Sequence, residues 1–148
     1  MRNVELRTRV YRGYAVVVLR GELDTRDAED TAAAVAALTA GGQQLIIDLE
    51  TLDFIDCHAA GALLEVRQAA RQAGGDVLLA APHGPVLRLL TVLGVPSVHA
   101  SVAAAADSAG TRDAWRRAAS IVRSGRAVLS GVGYWMMAWR AAVPGQHA

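Results

Sequence analysis

Three consecutive residues, Asp56-Cys57-His58, set a carboxylate, a thiol and an imidazole side by side. A helix start is expected here, and a helix N-terminus lowers a thiol's pKa, which is what a redox or nucleophilic role would need. Against that, free cysteines are usually buried and inert, so Cys57 is expected to be a small, partly buried residue. Asp56 fits an N-cap, its side chain accepting an unpaired amide of the first turn. His58 reads as a neutral contact residue on an exposed face. Metal binding or phosphohistidine chemistry would need partners, and His83, His99 and His147 are scattered without ligand spacing. Asp24 and Asp48 fall at expected strand ends, and paired carboxylates are what acid–base catalysis uses. No nucleophile–base constellation and no phosphate-cradling Gly-rich loop accompanies them. Neither catalysis nor a cofactor is therefore expected.

The elements that must position these residues follow from hydrophobic periodicity. Val4, Leu6, Thr8 and Val10 alternate, and Gly13 precedes the run Tyr14-Ala15-Val16-Val17-Val18-Leu19, which predicts two strands joined by a turn. A polar loop, Gly21-Glu22-Leu23-Asp24-Thr25, leads to a helix over residues 28–40, with Asp24 or Thr25 as its N-cap and Gly41-Gly42 as its stop. Leu45-Ile46-Ile47-Asp48-Leu49 is a short apolar run of the kind covered on both faces, hence the central strand. After Leu52-Asp53-Phe54-Ile55-Asp56, a helix is expected over residues 57–73, ended by Gly74-Gly75. A buried strand over 76–80, a short helix within 82–94, an edge strand over 95–99 and an alanine-rich helix over 101–109 complete the order. Two opening strands followed by alternation define an α/β fold: a mixed sheet of four to five strands carrying parallel β-helix-β units.

The chain has 148 residues, the size of one domain with an extension. Hydrophobic residues are 53% and charged residues 20%, a balance that favours a packed globule over disorder, while 5% aromatics require an aliphatic core. The one cysteine excludes an internal disulfide, and the opening residues show no apolar h-region or cleavage pattern, so a reducing cytoplasm is the expected compartment. All fifteen basic residues are Arg, which reflects coding bias rather than chemistry. The net charge of +1 conceals an asymmetry: residues 1–110 hold nine Arg against thirteen acids, and residues 111–148 hold six Arg against Asp113 alone.

Four blocks carry a resemblance: Gly21-Glu22-Leu23-Asp24, Leu45-Ile46-Ile47-Asp48-Leu49, Leu52-Asp53-Phe54-Ile55-Asp56 and Leu89-Leu90-Thr91-Val92-Leu93-Gly94-Val95. In order and spacing they resemble the STAS domain family, in its anti-sigma-factor antagonist branch, over about residues 4–109. The resemblance implies a mixed β-sheet with α-helices mainly on one side, and a docking surface for a serine-kinase-type anti-sigma factor around Asp24, Asp56, Cys57, His58 and Ala59. It also implies a switch: in the family, the kinase phosphorylates a serine of an Asp-Ser-Ser-Gly-type motif and so releases itself. Here that stretch is Asp56-Cys57-His58-Ala59, and His58 stands where the phosphoserine would be. A serine kinase adds no charge to a side chain without a hydroxyl, so no modification is expected at the usual position.

Residues 1–110 are thus expected to be the STAS domain, and residues 111–148 a basic extension holding Trp115, Trp135 and Trp139. Its uncharged stretch between Arg126 and Arg140 is thirteen residues long, short of the roughly twenty that cross a bilayer. Tryptophans flanked by arginines suit peripheral membrane contact or partner docking; a helix folded back on the sheet or a disordered extension are the alternatives. With little basic clustering, no nucleic-acid partner is expected. The functional expectation is an anti-sigma-factor antagonist; the alternative is a STAS accessory subunit of a membrane transporter.

Overall fold

In the computed structural model, which describes residues 3–109, ten elements follow one another: β1 (Val4–Tyr11), β2 (Tyr14–Leu23), α1 (Thr25–Leu38), β3 (Gln44–Asp48), β4 (Leu52–Ile55), α2 (Cys57–Gln72), β5 (Asp76–Ala80), α3 (Gly84–Val92), β6 (Val98–His99) and α4 (Val102–Ala109). The extension 111–148, with its three tryptophans and His147, lies outside the described residues. β1 and β2 form an antiparallel hairpin whose two-residue turn, Arg12-Gly13, has positive φ at both positions. That geometry matches the right-handed twist of paired strands. The remaining strands run parallel in the order β2-β3-β5-β6, as β-helix-β crossovers require.

The sheet has one strand more than expected, and the addition matters for the site. β2 is long enough to pair twice along one edge: Ala15 to Val18 lie beside β3, and Gly21 to Leu23 lie beside β4. β4 has no alternation for a sequence pattern to detect, since Asp53 and Phe54 are both exposed between buried Leu52 and Ile55. Its pairing is broken by a register shift at Gly21 and Glu22. Gly21 holds φ +98°, and a Cβ there would stand 2.3 Å from the Asn3 carbonyl oxygen. Gly21→Ala is therefore expected to destabilise the domain by about 1–3 kcal/mol, because both the backbone strain and the clash must be absorbed. Urea unfolding checks this, and an unchanged midpoint would show that the backbone at Gly21 accommodates a side chain without cost.

The core has two layers. On one face Leu6, Val17, Leu19, Ile47 and Leu79 pack against α1, α2 and α3 through Val35, Leu38, Leu63, Val86 and Leu90. On the other, Tyr14, Val16, Ile46 and Leu78 meet Val102, Ala105 and Ala106 of α4. Leu45, Ile46 and Ile47 are each 0% exposed, so consecutive residues of β3 are buried on opposite faces, as its unbroken apolar run implies. Three helices therefore cover one side and one short helix the other. α1 begins at Thr25, ahead of the expected residue 28, because Asp24 accepts the Arg26 amide and starts the helix at once.

Candidate functional site

The site forms where β2 and β4 end. Leu23 and Ile55 are paired in parallel, so the next residues of each chain segment, Asp24 and Asp56, emerge side by side as the N-caps of α1 and α2. Each cap has its own bonds. Asp24 Oδ1 accepts the Arg26 amide at 3.0 Å, and its Oδ2 accepts the Arg26 guanidinium at 2.9 Å. Asp56 Oδ1 accepts the Ala59 amide at 2.8 Å, while its Oδ2 accepts both the amide of Thr25 at 2.8 Å and the Thr25 hydroxyl at 2.9 Å. Asp56 thus caps its own helix and the neighbouring one, and it locks two helix starts into one rigid edge.

Both carboxyls are held below the usual carboxylate range. For Asp24 the main cause is the hydrogen bond from the Arg26 side chain. For Asp56, partial burial pushes upward, but the Ala59 amide and then the Thr25 hydroxyl and amide outweigh it, since each favours the ionised form.

Cys57 and His58 occupy the first turn of α2, and both are exposed. For Cys57 this corrects the expectation of partial burial. The inward row of α2 begins only with Ala59 and Ala60, so the residues before it project past the core. Ala59 itself is buried, and it serves the site through its amide. Beside the two exposed residues lies a shallow groove of about 240 Å³ between α1 and α2, lined by Glu29, Cys57, His58, Gly61, Ala62 and Glu65. Thr25 was expected only as an alternative N-cap, and Glu29, Gly61 and Glu65 were not expected at the site. The four-residue spacing of Cys57, Gly61 and Glu65, which puts them in one row of a helix, is the signal that marks the last two.

The carboxylates Asp24 and Asp48 are not brought into partnership. Asp24 bonds to Arg26, whereas Asp48, at the end of β3, accepts the Glu50 amide and faces the Arg9 guanidinium at 3.5 Å. Asp48 borders a roomier cleft of about 660 Å³ with Arg9, His83 and Ser101, away from the helix starts. Its polar groups are satisfied internally: His83 Nε2 lies 2.6 Å from the Glu50 carbonyl oxygen, and Ser101 caps α4 through the Ala104 amide. Among the described residues, no three His, Cys, Asp or Glu are gathered to hold a metal, and no helix is long and apolar enough to cross a membrane.

A mixed sheet with three helices on one face, one on the other, and a capped, exposed helix start at its edge defines a small α/β domain class. The STAS domain family profile matches residues 5–105, and the chain belongs to that family. The chain is similar to the anti-sigma-F factor antagonist RsfA of Mycobacterium tuberculosis, 29% identical over 86 residues that cover 56% of this chain and 67% of RsfA. In fold it is similar to the unphosphorylated anti-sigma factor antagonist SpoIIAA of Bacillus, with a TM-score of 0.60 at 24% identity over 70% of this chain and 95% of SpoIIAA. The murine anion transporter Slc26a9 contains a similar fold, with a TM-score of 0.59 at 19% identity over 74% of this chain and 22% of the transporter.

Proposed function

We propose that this chain is a non-enzymatic, cytoplasmic anti-sigma-factor antagonist. It docks a serine-kinase-type anti-sigma factor at the joined starts of α1 and α2, and so frees a sigma factor. The observation that carries this reading is the exposed first turn of α2, with His58 presented on a helix start that Asp56 holds rigid. A pre-organised surface loses little entropy on association, which is what a binding domain requires. The likeness to RsfA supports the choice of partner class. With an imidazole at position 58, the domain is constitutively competent to dock, because serine phosphorylation cannot place a repelling dianion there. Mixing the purified chain with a kinase-like anti-sigma factor and ATP tests both statements. Calorimetry is expected to show a saturable complex, and intact mass is expected to show no phosphate on His58. A phosphate found on another Ser or Thr would mean that the switch has moved.

The likeness to the Slc26a9 fold favours a second reading, a STAS accessory subunit of a transporter. Genes for a permease and an ATPase beside this one would support it; a kinase-like anti-sigma gene would support the first.

In either reading we assign residues 1–110 as the autonomous domain and 111–148 as an appended basic segment. The two core layers are closed by elements ending at Ala109, so residues 1–110 alone are expected to keep a cooperative thermal transition. Loss of that transition, followed by circular dichroism, would make the extension part of the core.

A further inference from the structure

Among the described residues, five large apolar side chains stand exposed: Val10, Phe54, Leu87, Val92 and Leu93. Four of them lie on β4, on α3 or at the C-cap of α3, and these two elements pack against each other. α3 buries Val86 and Leu90, yet Leu87, Val92 and Leu93 are left outside, and Val92 is 82% exposed. An amphipathic helix ordinarily keeps its outward face polar. Outward apolar side chains concentrated on adjoining elements mark a surface that something covers.

The chain itself carries a matching segment. Residues 127–139 hold no charge and include Trp135, Met136, Met137 and Trp139, an apolar run too short to span a bilayer as a helix. Seventeen residues, 110–126, join it to the end of α4. Extended, they reach about 55 Å, against about 35 Å across a domain of this size. α3 and α4 lie on opposite faces of the sheet, and the way from one to the other runs round β6, the two-residue edge strand between them. The charges agree in sign: residues 111–148 hold six Arg against one acid, and residues 1–110 nine Arg against thirteen acids. We propose that residues 127–139 dock intramolecularly on the apolar patch of α3 and β4. Both core layers are closed without them, so they cover a surface and do not complete the fold. The inference holds under either functional reading.

All three tryptophans lie beyond residue 110, so tryptophan fluorescence of the full chain reports on this segment alone. In a Trp115→Phe background the signal comes from Trp135 and Trp139. In dilute, lipid-free solution, acrylamide quenching is expected to be about two- to threefold weaker than for N-acetyltryptophanamide, because docked indoles are shielded from water. Leu87→Arg with Val92→Arg places two like charges before a basic segment, and it is expected to raise quenching to that of the free indole. Both positions are exposed, so the fold is expected to persist, which far-UV circular dichroism checks. Val10→Arg, at the exposed apolar residue outside the patch, is expected to keep the shielding. The inference is overturned if the indoles are quenched as freely before the patch is altered, if the paired arginine variant stays shielded, or if Val10→Arg releases the segment as well. Shielding that disappears on dilution would assign the segment to a second copy of the chain, and shielding that appears only with anionic vesicles would assign it to a membrane surface; either result also overturns intramolecular docking.

Discussion

His58→Glu is expected to weaken docking to the anti-sigma factor about ten- to a hundredfold, equivalent to about 1–3 kcal/mol. Position 58 is exposed in the first turn of α2, so the substituted carboxylate would stand on the proposed docking face itself. A negative charge is favourable for the helix at that end, because it faces the positive pole of the helix dipole. Folding should therefore be unharmed, and any lost affinity belongs to the contact. His58→Ser restores a hydroxyl and is expected to gain one phosphate from the kinase, read by intact mass, with a matching loss of affinity after transfer. If His58→Glu docks as tightly as the wild type by calorimetry, the start of α2 is not the contact and the proposed surface is wrong.

Asp56→Ala carries the largest expected cost in stability among the site residues, about 2–4 kcal/mol. It removes the cap of α2 and the link to α1 together, and each cap is typically worth about 1–2 kcal/mol. The amides of Ala59 and Thr25 would both lose their acceptor. Asp56→Asn keeps an acceptor oxygen and is expected to recover part of the loss. The pH dependence has a definite sign. Because the folded-state pKa of Asp56 is lowered, its contribution is fully present above the ordinary carboxylate pKa and fades as pH falls through the lowered value. Asp24 acts in the same direction, its largest cause being the Arg26 side-chain bond. Urea unfolding from about pH 6 to about pH 2 is expected to show a shallower acid limb for Asp56→Ala than for the wild type. Equal slopes, or a loss below about 1 kcal/mol at neutral pH, would show that the two helix starts are held by something other than this carboxylate.

Much of the architecture was legible because the features that specify it are local. The Arg12-Gly13 turn, the unbroken apolar run of β3, the helical spacing of α2 and the double-glycine stops are each read within a few residues. Asp24 and Asp56 were readable as caps for the same reason, since a cap and the amide it accepts lie two or three residues apart.

Other features depend on segments remote in the chain. β4 exists because the end of β2 offers it an edge, and its own four residues carry no period. The bonds from Thr25 to Asp56 join positions 31 residues apart, which become neighbours only through the parallel pairing of Leu23 with Ile55. Cys57 is exposed although free cysteine is usually buried, because the inward row of α2 begins two residues later. Glu29 and Glu65 line one groove only because α1 and α2 pack side by side on the same face of the sheet. The physical division is one of range. Propensity, capping and periodicity act over a turn or a strand and are written in neighbouring residues, whereas the joined helix starts are made by strand pairing and helix packing, which bring together residues that no local pattern connects.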